Sequence, residues 1–283
     1  MKAYHILGNI ILCCLFAAAS TSCEKTLDVD YDDISPLLVV EGNVSNEGVR
    51  VYLKETRDMT DSITQNWVTD ATVSISGSDG YNETLVFGES FYYSPSNYTG
   101  VPGVTYTLNV THKDRHCTAK STMPQATDID SVRFKWVHFI GDVYIRTCYI
   151  HFQDDPTTSD YYMVTIRKNT ELYHDILTQD VFDDRQMDET YNFIHKGIMS
   201  KNDWEDAMSQ PDVIQSDIIY PGDAGYVELR SIDIDAFKYL NSGEKNQSQA
   251  VNPKTNLVGN DCIGYFSAFY TSKSHFIYEN DDY

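Results

Sequence analysis

The chain has 283 residues, with 42 acidic against 21 basic side chains and a formal net charge of −21 at pH 7. A surface that acidic repels nucleic-acid phosphates and anionic lipid headgroups, which excludes nucleic-acid binding and any polybasic hold on a membrane. The length admits one large all-β domain or two domains of ordinary size.

The opening residues, Met1 to His5, carry one firm positive charge, at Lys2. An apolar run from Ile10 to Ala19 follows, then Ser20, Thr21 and Ser22, then Cys23. This order predicts a secretory signal peptide over residues 1–22. The apolar run is too short for a membrane-spanning helix, which needs ~20 residues. Cys23, directly after the small residues, is the expected lipidation site of a bacterial lipoprotein, diacylated on its thiol and carrying palmitate-type chains. Ser20 stands three residues before it, where such sites usually have Leu. An ordinary cleaved signal with an incidental cysteine is the plainer alternative. Without residues 1–22, 20 Lys and Arg face 42 Asp and Glu, a net charge of −22. The lipid would then hold the protein alone, at ~0.8 kcal/mol per buried methylene.

Residues 23–35 read as a lipidated acidic tether, with Glu24, Asp28, Asp30, Asp32 and Asp33 in a stretch too polar to fold by itself. Asp28, Asp30 and Asp32 have the spacing of half a calcium loop. Asp33 stands where that loop needs glycine and Val39 where it needs glutamate, so no metal is expected.

Residues 36–126 alternate apolar and polar positions, through Leu38, Val40 and Val44, Val49, Val51 and Leu53, Val73 and Ile75, then Tyr106, Leu108 and Val110. Turn residues separate the runs, at Asn46 to Gly48, Gly77 to Gly80, and Pro102 with Gly103. The pattern predicts an N-terminal immunoglobulin- or fibronectin-like β-sandwich domain, in which Tyr106 bonds back to the preceding turn. Met59 to Thr69 lacks periodicity and reads as an exposed connection.

Residues 127–278 resume the alternation and predict a second, C-terminal β-rich domain, with a tail at 279–283. Its strands run through Val132, Phe134 and Trp136, Cys148, Ile150 and Phe152, Tyr162, Val164 and Ile166, Tyr226 to Arg230, and Ile263 to Thr271. Residues 170–224 are less regular. Two short helices are expected, one starting at Ser200 with Trp204, Ala207 and Met208 on one face, the other from about Ile232 to Ser242 with Gly243 as its stop. The fold class is therefore mainly β, two sandwich-like domains with one or two helices in the second.

Chemistry-bearing patterns are few. Cys117, Cys148 and Cys262 remain after the signal and Cys23 are set aside, so at most one disulfide forms and most of the three are expected to be small core residues. His112 and His116 have the spacing of a zinc pair on a helix, but they flank a hairpin tip with Lys113 and Arg115, and a solvated turn accounts for them better. Asp180, Asp183, Asp184, Asp188 and Glu189 could pair for glycoside hydrolysis, yet a solvated acidic loop is the simpler account. No nucleophile elbow or cofactor motif occurs, so the chain is not expected to be an enzyme or to carry a cofactor. The 21 tyrosines are the larger anomaly. Strand propensity explains most of them. Those in the run Phe91 to Tyr98, namely Tyr92, Tyr93 and Tyr98, are the candidate ligand contacts, suited to a glycan or peptide.

Several segments together resemble a family of Bacteroidota lipoproteins catalogued as domain of unknown function 4249. They are Ser22 to Lys25, Leu37 to Val44, Asp70 to Ile75, Gly103 to Leu108, Val227 to Asp233 and Gly264 to Ala268. The sequence departs from the family's usual glycine-rich pattern at Asn260, Asp261 and Cys262. The resemblance implies an outer-membrane lipoprotein, often encoded near TonB-dependent transporters, with no assigned activity. The acidic residues after Cys23 resemble surface-export signals of that phylum, and Asp61-Ser62-Ile63 and Asp130-Ser131-Val132 resemble its O-glycosylation acceptors at Ser62 and Ser131.

The expectation is an outer-membrane lipoprotein facing the cell exterior, with a binding or accessory role beside a TonB-dependent transporter in ligand uptake. The alternatives are a structural or adhesive cell-surface lipoprotein of fimbrial or host-matrix type and, after that, a glycan hydrolase.

Overall fold

The structure, a computed structural model, describes residues 36–57, 66–169, 174–186, 193–210, 212, 213, 215, 217–245 and 254–279. Strands β1 (Leu38–Ser45) and β2 (Gly48–Glu55) form a tight antiparallel hairpin, Ser45 opposite Gly48 and Leu38 opposite Glu55. Their alternation turns Leu38, Val40, Val44, Val49, Val51 and Leu53 inward, all buried. Short strands β5 (Val86–Phe87) and β6 (Tyr92–Tyr93) extend this sheet beyond β2.

A second sheet faces it, built from β3 (Thr72–Gly77), β4 (Asn82–Thr84), β7 (Thr105–His112), β8 (Arg115–Thr122) and β15 (Val258–Gly259), in the order β15-β8-β7-β3-β4. Val73, Ile75, Tyr106, Leu108, Val110, Cys117 and Ala119 complete the core between the two sheets. Each Val, Leu or Ile buried this way contributes about 1.5–3 kcal/mol of transfer free energy. Gly42 lies where the sheets approach closely; a Cβ there would sit 3.1 Å from both Leu108 and Phe266 side chains.

Phe266 belongs to the longest strand, β16 (Cys262–Ile277), which serves both halves of the molecule. Its first half runs parallel to β1, from Cys262 beside Leu38 to Phe269 beside Ser45. Its second half runs antiparallel to β14 (Ala224–Ile232), from Tyr270 beside Ser231 to Ile277 beside Ala224. Strands β11 (Tyr161–Asn169) and β12 (His174–Asp183) continue outward, giving one eight-stranded sheet in the order β12-β11-β14-β16-β1-β2-β6-β5.

A three-stranded sheet, β13 (Phe193–Ser200), β10 (Val143–Phe152) and β9 (Ile129–Ile140), packs on the far half of that long sheet. Cys148, Ile150 and Phe152 meet Tyr162, Val164, Ile166, Phe182, Val227 and Leu229 to form the second core. The opposite face of the long sheet is covered by helix α2 (Ile234–Lys245), where Ala236, Phe237 and Leu240 pack with Met163, Ile232 and Phe269. Helix α1 (Lys201–Ser209) starts at Ser200, whose hydroxyl accepts the Asp203 N–H at 3.1 Å, and buries Ala207.

Two main sandwich cores are present, but the segments 36–126 and 127–278 share both a sheet and the first of those cores. Residues after 254 return to the first sandwich, where Leu257, Phe266 and Ala268 enter its core. From Pro36 onward the chain clusters as one compact unit. Helix α2 passes through Gly243 and ends two residues later, so that glycine is not the stop the sequence suggests. Strands β12 and β13 occupy part of the stretch that reads as irregular; Asp175, Gln179 and Asp180 in β12 and Lys196 in β13 interrupt its apolar pattern.

Candidate functional site

The first sandwich carries an open cleft of about 490 Å³ at the β1–β2 turn, lined by Glu47 to Arg50, Gly88, Glu89, Phe91, Tyr93, Ser94, Asn97 and Tyr98. Its floor is the start of β2, where Arg50 pairs with Tyr93 of β6. Alternation on β2 points Arg50 and Tyr52 away from the core, and both meet Phe91. The Arg50 guanidinium lies 5.7 Å from the Phe91 ring centre and the Tyr52 ring 5.4 Å from it. Tyr93 meets Phe91 edge-on at 6.4 Å, and Tyr52 meets Trp67 at 6.1 Å. The Lys54 ammonium caps Trp67 at 4.6 Å. A row of four rings therefore crosses this face with a cation on two of them, each such contact worth ~0.5–1 kcal/mol at an exposed site.

The far wall is held by hydrogen bonds. Glu83 accepts from the hydroxyls of Tyr81, Ser94 and Ser96 and from the Ser96 N–H. Burial alone would raise the Glu83 carboxyl, but the Ser94, Tyr81 and Ser96 donors outweigh it and hold it below the ordinary value. The Tyr81 hydroxyl is pushed up to about 12, by burial first and then by Glu83. Asn97 takes a left-handed backbone conformation, φ 58°, that turns the chain into Tyr98. The Tyr98 ring stacks on Tyr81 at 3.5 Å, and its hydroxyl donates to Asp79 at 2.8 Å and meets the Tyr106 hydroxyl at 2.9 Å. Burial, the Tyr106 hydroxyl and the Asp79 carboxylate drive the Tyr98 hydroxyl well above the usual tyrosine range.

On the near side Glu47 is held by Lys273 at 2.6 Å, and Lys273 also reaches Glu228 at 3.4 Å. Burial would lower the Lys273 ammonium, but Glu47 and Glu228 together raise it. The lining thus offers ring faces, a guanidinium and the Glu47 and Glu89 carboxylates, which suits recognition of a polar ligand with an apolar face. Among the described residues no group of three or more His, Cys, Asp or Glu could hold a metal ion.

Of the three tyrosines singled out by sequence, the cleft receives two. Tyr93 stands exposed on its wall and Tyr98 lines it with a committed hydroxyl. Tyr92 points the other way. It is buried, accepts the Ala71 N–H at 3.0 Å and donates to the Val68 carbonyl at 3.1 Å, so it is a core residue and not a ligand contact. Arg50, Glu47 and Glu89 carry no sequence signal of their own; Glu89 is a near neighbour of Phe91 in the chain, and the pairing of β2 with β6 brings Arg50 beside them. Tyr106 occupies its expected place, fully buried and accepting the Val101 N–H at 2.8 Å.

The other candidates fall apart as sites. His112 is buried, with Nε2 3.1 Å from Asp70, and not a solvated turn residue, while His116 meets Thr111 at 3.0 Å. Asp180 and Asp183 lie in β12 and not in a solvated loop; Asp180 pairs with Lys196, and buried Asp183 pairs with Arg185. Asp184 accepts the Asp160 N–H at 3.1 Å. Asp188 and Glu189 lie outside the described residues, as do Cys23 and Ser62. Ser131 sits half-buried in β9 opposite His151.

The family model described as "Domain of unknown function (DUF4249)" matches residues 24–274. The chain belongs to that family. Among solved structures it is similar to a two-domain fibronectin type-III segment from chicken tenascin, at 12% identity over 69% of this chain and 90% of that chain, with a TM-score of 0.21. The sandwich itself rests on the strand pairings described above. A comparison with curated proteins found no match.

Proposed function

We propose that this DUF4249 protein is a lipid-anchored outer-membrane protein that binds a glycan or short peptide in the Phe91 cleft and assists a TonB-dependent transporter in taking it up. The observation that carries the reading is the row Trp67, Tyr52, Phe91 and Tyr93 with Arg50 stacked on Phe91, a stacking face beside a charged donor and two carboxylates. Supporting it are the signal grammar ending at Cys23 and the acidic stretch behind that residue. Deleting the gene and measuring growth on the neighbouring transporter's substrate tests it. Slowed uptake, with the transporter co-purifying, is the expected result; unchanged uptake without co-purification overturns it.

A structural or adhesive role is the second reading. The β9–β10 hairpin tip favours it, since Phe139 and Ile140 are 70% and 68% exposed there. Incorporation into a surface fibre or binding to host matrix, with no transporter association, would select it.

A further inference from the structure

Cys117 and Cys262 lie far apart in sequence but meet at one corner of the first sandwich. Cys117 is fully buried in β8. Strand β15 pairs against it, Gly259 opposite Cys117, at so close an approach that a Cβ on Gly259 would sit 2.9 Å from the Cys117 Cβ. The chain then turns through Asp261, φ 55°, whose carbonyl accepts the Leu38 N–H at 2.8 Å. That turn delivers Cys262 to the head of β16, half-buried against the core that contains Cys117. Strand β16 runs against β8, the Ala268 N–H donating to the Ser121 hydroxyl at 2.6 Å, and the Cys262 thiol donates to the Asn260 carbonyl at 3.2 Å. With Gly259 opposite Cys117 and Cys262 three residues further on, packed against the same core, the two cysteines occupy neighbouring strands, as a bridge requires. Cys148 is buried in the other core, in β10.

We propose that Cys117 and Cys262 form an intramolecular disulfide in the exported protein, with Cys148 left as the free thiol. The inference depends on export to an oxidising compartment and not on the cleft or its ligand. The oxidant is a disulfide, either of a thiol-oxidising protein or of a small molecule. The Cys262 thiolate attacks one sulfur of that disulfide, forming a mixed disulfide and expelling the other sulfur as a thiolate. The Cys117 thiolate then attacks the Cys262 sulfur and expels the second thiolate. The two cysteines lose two protons and two electrons, and the oxidant gains both as two thiols.

Cys262 is the attacking residue because it is the more accessible of the two. Burial raises both thiols, but at Cys262 the nearby Cys117 thiol and the Arg115 guanidinium act in the opposite direction. The bridge would close residues 117–262 into one covalent loop that contains β9 to β14 of the second sandwich. It would also pin the start of β16 to β8, at the point where the chain returns to its first core.

The test treats the purified, exported full chain with oxidised glutathione, then denatures it, alkylates free thiols and maps the peptides by mass spectrometry. The expected result is a linked pair of peptides containing Cys117 and Cys262, two hydrogens lighter than their sum, with Cys148 alkylated. The thermal midpoint should fall by several degrees on reduction, and Cys262→Ser should abolish that difference. Alkylation of both Cys117 and Cys262 would overturn the proposal, as would a stable glutathione adduct on Cys262 or a bridge to Cys148. Should Cys117→Ala fail to fold, Cys262→Ser at the half-buried position still decides the matter, because Cys117 must then remain a thiol under the same treatment.

Discussion

The side chain of Asn46 and the backbone of Thr271 exchange two hydrogen bonds, Nδ2 donating to the Thr271 carbonyl at 2.9 Å and the Thr271 N–H donating to Oδ1 at 2.8 Å. Asn46 sits in the turn between β1 and β2, and Thr271 stands just where β16 leaves β1 for β14. An amide side chain thus does the work of one more residue of strand pairing. It holds the cleft's Glu47 against β16, within reach of Lys273. Asn46→Ala should cost about 1–3 kcal/mol, since two buried backbone groups lose their partners. Urea unfolding measures it, and a loss within a few tenths of a kcal/mol would show that water replaces the amide.

Tyr106 ties the start of β7 to the Val101 N–H and meets the Tyr98 hydroxyl, all from a fully buried ring. Tyr106→Phe keeps the ring and removes the oxygen, leaving the Val101 N–H without its acceptor. A loss of about 1–2 kcal/mol in the same unfolding experiment is expected. Tyr98→Phe, which leaves the Val101 bond intact, should cost less. The reverse order would mean that the Tyr98 to Asp79 bond, and not the Tyr106 corner, holds this end of the sandwich.

Glu83 sets a pH dependence whose sign follows from its four donors. Its carboxyl is held below its ordinary value of 4.5, so the unfolded chain takes up a proton at that site before the folded one does. Its contribution is therefore fully present above about pH 4.5 and is lost as pH falls through the lower, folded value. Glu83→Gln should flatten the acid side of the stability–pH curve. Unfolding curves from pH 3 to pH 7 compare the two proteins, and parallel slopes below pH 4.5 would remove Glu83 as the cause.

Cys23 makes a prediction about location. Cys23→Ala should release the protein from the membrane fraction and abolish palmitate labelling, with the fold unchanged. Retention of both would refute the lipid anchor.

Much of the fold is legible from alternation alone. Leu38, Val40 and Val44, and Tyr106, Leu108 and Val110, face inward as their spacing requires, and Ser200 caps its helix because a hydroxyl there meets an otherwise unpaired N–H. What alternation cannot carry is partnership between distant segments. Nothing in residues 262–277 announces that one half will pair with β1 and the other with β14, because both halves are simply good strand sequence. The same holds at the cleft. Tyr92 and Tyr93 are identical neighbours in sequence, and only the pleat decides that one enters the core and the other reaches solvent. Arg50 is an ordinary surface residue until β6 pairs with β2.

The proposed role of the Phe91 cleft is to capture a ligand for uptake. Its most direct test is the uptake rate of the neighbouring transporter's substrate in cells carrying either the wild-type protein or an Arg50→Ala, Phe91→Ala variant at equal surface level. Removing the guanidinium and the ring it stacks on should weaken binding about tenfold or more and lower uptake, at limiting substrate, toward the rate of the deletion strain. Uptake equal to wild type, from a variant of unchanged stability and location, would contradict the account.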